Sequence, residues 1–147
     1  MKRIFSMLIF HFLVFMTMMA EAQKGTGSLT GIARQSGDPE ILQVSCTLKE
    51  AASGPCAFTT GRSNSGTHLI VLNDDNYELN IHLGPTSDVA YIVKNLVPGQ
   101  RIHCKVFRTS ELPDDNFIAI ELETDNSFYM LRDQNLRPVW AGKGFLQ

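Results

Sequence analysis

Residues 66–85 read GTHLIVLNDDNYELNIHLGP. Two apolar-patterned runs flank Asn73, Asp74, Asp75 and Asn76, residue types that suit a tight turn. From Tyr77 onward the second run alternates strictly. Tyr77, Leu79, Ile81 and Leu83 fall on one side, and Glu78, Asn80 and His82 on the other. The stretch therefore predicts a β-hairpin whose second strand has one polar face. Its register has two solutions. With Leu72 opposite Tyr77, His68 stands opposite Ile81 and shares the apolar face; with Asn73 opposite Tyr77, His68 meets His82 on the polar face. A slip of one residue separates the two, because side chains alternate between faces.

Working outward, Gly84 and Pro85 break the strand, and Thr86, Ser87 and Asp88 offer N-cap chemistry. Val89, Ile92, Val93 and Leu96 recur at the spacing of one apolar helix face. Strands are predicted at 101–108, 117–123 and 128–132, with turns at 113–116, 124–127 and 133–137. Upstream, residues 29–33 read as a short first strand. Residues 34–65, with Pro39, Pro55 and scattered glycine and serine, read as an irregular insertion holding one extra strand at 41–44. The fold class is mainly β: a small OB-like barrel of five to six strands, with one short helix between strands three and four. The rival is an open α+β sheet with the helix on one face. The barrel domain spans 29–142, followed by a tail at 143–147.

Residues 1–22 form an address rather than part of that fold. Lys2 and Arg3 precede an apolar core from Ile4 to Met19, and Ala20-Glu21-Ala22 gives a small-x-small cleavage pattern. The apolar core is also nearly long enough for a membrane anchor, but no basic stop-transfer cluster follows it. The reading is a cleaved signal peptide, a flexible lead-in at 23–28, no stable membrane span after cleavage, and a periplasmic or secreted product. The whole chain has 147 residues, 44% of them hydrophobic, and a net charge of -2. One domain fits that length. Mild acidity argues against nucleic acid, whose phosphates need clustered lysine and arginine.

Export places Cys46, Cys56 and Cys104 where disulfides persist. Cys46 and Cys56 bracket a short loop-like stretch and are the candidate disulfide. Cys104 alternates with Ile102 and Val106 and reads as a buried thiol.

An ordered series runs through the second half: Gly66-Thr67-His68-Leu69, His82-Leu83-Gly84-Pro85, Pro98-Gly99, Leu131-Arg132-Asp133 and Pro138-Val139-Trp140-Ala141-Gly142. It resembles a group of small exported bacterial proteins of unassigned function, marked by HLGP and by LRD...PxW-x-G. That group is similar in outline to bacterial OB-fold proteins. The resemblance implies the barrel and no activity. Leu136-Arg137 departs from it, standing where a turn glycine is usual. Read physically, Gly84 and Pro85 set the strand end and the helix start. Arg132 suits an ion pair with a carboxylate across the sheet, and Asp133 a hydrogen bond in the following turn. Trp140, the only tryptophan, suits either a lid on one barrel end or a stacking platform for a sugar or base.

The candidate contact surface is the polar strand face of Glu78, Asn80, His82, Arg101 and His103, joined by His68 in the second register. OB folds bind ligands on such a face. In that register His68 and His82, with His103 on a neighbouring strand, form a candidate Cu or Zn site; no compact metal motif accompanies them. Otherwise no cofactor is expected. The acidic turns at Asp74-Asp75 and Asp114-Asp115 lack a calcium loop's ligand spacing. Glu121 and Glu123, read on one strand face with Phe117 and Ala119, are explained by a charged exterior better than by glycoside chemistry. No nucleophile elbow or phosphate loop is present, so no enzyme is expected. The function expected from sequence is an envelope binding module whose partner is a small molecule, a glycan or an envelope protein.

Overall fold

Asn73 fixes the hairpin. Its side-chain Oδ1 accepts the backbone N–H of Asp75 and of Tyr77, and its own N–H donates to the Tyr77 carbonyl. Asn76 takes the left-handed conformation (φ 62°) that asparagine tolerates. These bonds select the second register: β2 (Gly66–Asn73) and β3 (Glu78–Pro85) pair with His68 opposite His82, Ile70 opposite Asn80 and Leu72 opposite Glu78. The computed structural model describes residues 39–55, 65–110 and 112–141. The leader, the lead-in, the expected strand at 29–33, Cys56, Gly142 and the tail lie outside the described residues.

The remaining elements are β1 (Glu40–Gly54), α1 (Thr86–Val93), β4 (Arg101–Arg108), β5 (Asn116–Thr124) and β6 (Ser127–Met130). β1 pairs antiparallel with β2 on one edge and β4 on the other, β4 pairs with β5, and β5 runs parallel to β3. The strands thus ring round in the order β1-β2-β3-β5-β4, with β6 added to β5 as a further strand. The helix lies between the third and fourth strands, and the mainly β, OB-like class expected from sequence is the one observed. The closing parallel seam is short: Asn80, Ile81 and His82 face Asn116, Phe117 and Ile118.

The first strand departs from expectation. Glu40–Gly54 is a 15-residue strand at the centre of the sheet, inside the stretch read as an irregular insertion. Leu42, Val44, Cys46 and Leu48 alternate toward the core, but Lys49 is an extra residue between the Leu48 and Glu50 pairings. This bulge breaks the period, and the small residues after it carry little strand signal. Leu83 and Ile120 are similar extra residues in β3 and β5. Such bulges bend strands, as closing a ring requires. The Ile120 bulge also changes a sequence reading. Phe117 and Ala119 pack in the core, whereas Glu121 and Glu123 do not share their face.

The Cys46–Cys56 disulfide is not formed: Cys46 is a free thiol in the core. The stretch read as a loop after Cys46 is instead extended strand to Gly54, roughly 20–25 Å long, and Cys56 itself lies outside the described residues. Cys104 is buried beside Ile102 and Val106, as its alternation predicts.

Inside the ring, Leu69, Val71, Ile81, Ile102, Val106 and Leu122 are among the fully buried residues, capped by Val89 and Ile92 of α1. The helix starts without the expected side-chain cap. Pro85 occupies the N-cap position, and the Thr86 hydroxyl instead bonds Ser65 and Thr67. A second, smaller cluster of Phe107, Leu112, Ile118 and Ile120, with Leu136 against it, is separate from this core.

Candidate functional site

The outward residues of the β2–β3 hairpin bring two histidines together. The rings of His68 and His82 lie 4.8 Å apart, centroid to centroid, tilted by 57°. Asn80 Oδ1 accepts a 2.9 Å hydrogen bond from His68 Nδ1, which makes Nε2 the acceptor nitrogen of the neutral ring. His82 is only 7% exposed, because β3 is flanked by β2 and β5 at that point. Burial first, then the Arg132 charge and His68, push the His82 pKa down to about 3, so its imidazole is neutral at physiological pH.

Arg132 is buried next to this pair and does not make the expected ion pair. Among the described residues no carboxylate reaches it. Its Nη1 donates instead to the carbonyls of Leu83 on β3 (3.2 Å) and Ala119 on β5. Both carbonyls lie just beyond the last pairs of the seam, so the guanidinium bridges the two strands where their ladder stops. Its carbon sits 5.4 Å from the Trp140 ring and 6.0 Å from Phe107, within cation–π range of both. Burial lowers the Arg132 pKa to about 9, which leaves it charged at neutral pH. The bulge at Ile120 helps to position it, since that carbonyl accepts the backbone N–H of both Leu131 and Arg132.

Trp140 packs on Gly84 so closely that a Cβ there would lie 2.4 Å from its Cη2. Asp133 Oδ1 accepts the N–H groups of Asn135 and Arg137, shaping the turn that returns the chain to pair Arg132 with Pro138. Leu136 holds the turn's left-handed position (φ 59°) without a glycine, and its side chain packs on the Phe107 cluster. The residues of HLGP, LRD and PxW, remote in sequence, thus converge on one seam.

The other expected residues do not join them. Glu78 pairs with Lys49 at 2.6 Å, and Arg101 pairs with Asp74 in the hairpin turn. His103 contacts Ser45 Oγ at 2.7 Å. On β1 its partner is Ser45, whereas the partner of His68 is Ala52. Those seven residues of strand separate the two histidines by roughly 20 Å, so His103 cannot complete a metal site with His68 and His82. It lines a separate hollow of about 170 Å³ with Gln43, Lys105, Glu121, Glu123 and Phe128. Among the described residues, no group of three or more histidine, cysteine or acidic side chains is arranged to hold a metal. Two imidazoles and an amide can donate and accept hydrogen bonds or offer two nitrogen ligands.

Sequence reasoning missed the bridging role of Arg132 and its aromatic neighbours. No protein-family model, curated protein or solved structure matches the chain.

Proposed function

We propose that this chain is an exported binding module of the bacterial envelope, with the outer face of the β2–β3 hairpin as its contact surface. The observation that carries the reading is the in-register set of His68, Asn80 and His82. A partly exposed imidazole and amide are held in a fixed orientation over a buried neutral imidazole. Rigid support of a polar group lowers the cost of ordering it on binding. Glu78 extends the same face, and its partner Lys49 supplies a positive charge. The occupant is a small molecule, a glycan or an envelope protein; mild negative charge speaks against nucleic acid. The apolar leader with its cleavage pattern supports export to the periplasm or beyond. Among the described residues, no helix is long and apolar enough to cross a membrane. A photo-crosslinking residue at position 80, compared with one at position 128, tests this in cells that export the protein. Specific adducts from 80 that disappear with His68→Ala are expected. Equal capture from both positions refutes the surface, and a saturable hydrolytic activity abolished by a point substitution refutes a purely binding role.

The pairing of His68 with His82 favours one alternative, a Cu(II) or Zn(II) protein using the two imidazoles. A neutral His82 is the form a metal requires. Calorimetric titration with each metal decides it: affinity must fall in both His68→Ala and His82→Ala, and unchanged affinity rejects the site.

A further inference from the structure

We propose that Cys46 and Cys104 are a dithiol pair that closes to a disulfide between β1 and β4, a modification site inside the ring. Val44 stands opposite Cys104, and Cys46 opposite Ile102. The two cysteines are therefore diagonal neighbours across adjacent antiparallel strands. Both belong to the buried core and are free thiols. The two thiols are hydrogen-bonding neighbours across the diagonal. That bond holds the Cys46 thiol below its usual range, and the same bond with burial raises Cys104. In the closed fold Cys46 is therefore the more acidic of the two thiols.

The reaction balances with a small organic disulfide as oxidant. The Cys46 thiolate attacks one sulfur of the disulfide and releases one thiolate. That thiolate takes the Cys104 proton, and Cys104 attacks the Cys46 sulfur, expelling the second thiolate, which picks up a proton from water. Two protein thiols and one disulfide become one protein disulfide and two small thiols. Because both cysteines are buried, exchange proceeds while β1 and β4 are apart, during folding or opening. Closure needs the two sulfurs to reach about 2.05 Å as β1 and β4 pair in their register of eight residue pairs.

The test refolds the reduced full chain in mixtures of reduced and oxidised glutathione, alkylates the remaining thiols and maps peptides without reduction. The expected map links the Cys46 and Cys104 peptides and leaves Cys56 alkylated. A link from Cys56 to either partner, or three alkylated cysteines at every glutathione ratio, overturns the proposal. Cys56→Ser makes the decision independent of core substitutions. Its monomer must lose both thiols on oxidation and show a higher urea midpoint than its reduced form; a folded monomer that keeps both thiols overturns the proposal.

Discussion

Moving from pH 7.5 to pH 5 removes about 2 kcal/mol of stability through His82 alone. In the folded chain this imidazole has a pKa of about 3, because it is buried and faces Arg132 and His68. In the unfolded chain it returns to about 6.5. Between those values the unfolded state binds the proton and the folded state does not. The stabilisation is therefore fully present above about pH 6.5 and is lost progressively as the pH falls toward 3. Across the whole window the loss is about 5 kcal/mol, from 1.36 kcal/mol for each pH unit, and about 1.5 such units have been spent by pH 5. Urea unfolding followed by Trp140 fluorescence, at both pH values, measures this in the wild type and in His82→Gln. The variant is less stable at pH 7.5 but loses about 2 kcal/mol less on acidification. Equal losses in the two proteins refute the reasoning, since every other titrating group is shared.

Arg132→Ala leaves the Leu83 and Ala119 carbonyls without their donor and should cost about 3–5 kcal/mol. Arg132→Lys should recover only part of that, because an ammonium keeps donors for the two carbonyls but lacks the planar guanidinium that lies against Trp140 and Phe107; chemical denaturation measures both. Gly84→Ala drives a methyl group into the Trp140 ring and should cost about 1–3 kcal/mol, with a red shift of tryptophan emission as the ring is displaced. Leu136→Gly relieves a left-handed leucine worth about 1 kcal/mol while losing a half-buried contact, so the unfolding free energy from urea denaturation should stay within about 1 kcal/mol of wild type.

The parts legible in the sequence are those governed by a local period. Arg101–Arg108 is the strand its alternation predicts, and the Val89 and Ile92 stripe does mark the buried face of α1. The hairpin was legible as a pair of registers, and the choice lay in the Asn73 side chain, which alternation cannot see. β1 was hidden because the Lys49 bulge interrupts its period and Ala51, Ala52, Ser53 and Gly54 resemble a loop. The site was legible in part: His68, Asn80 and His82 meet, while His103 was misjudged because face alternation says nothing of position along a strand. Arg132 was given a carboxylate because charge suggests charge. Its partners are main-chain oxygens, which every residue carries and no sequence pattern marks.

A ring closed by three residue pairs and one guanidinium has a preferred place to part. The ladders on either side of β1 are longer, so thermal breathing unzips β3 from β5 first and leaves them intact. The cylinder then behaves as a cuff with a clasp, able to spring open locally at a fraction of the free energy of global unfolding, with Arg132 as the catch.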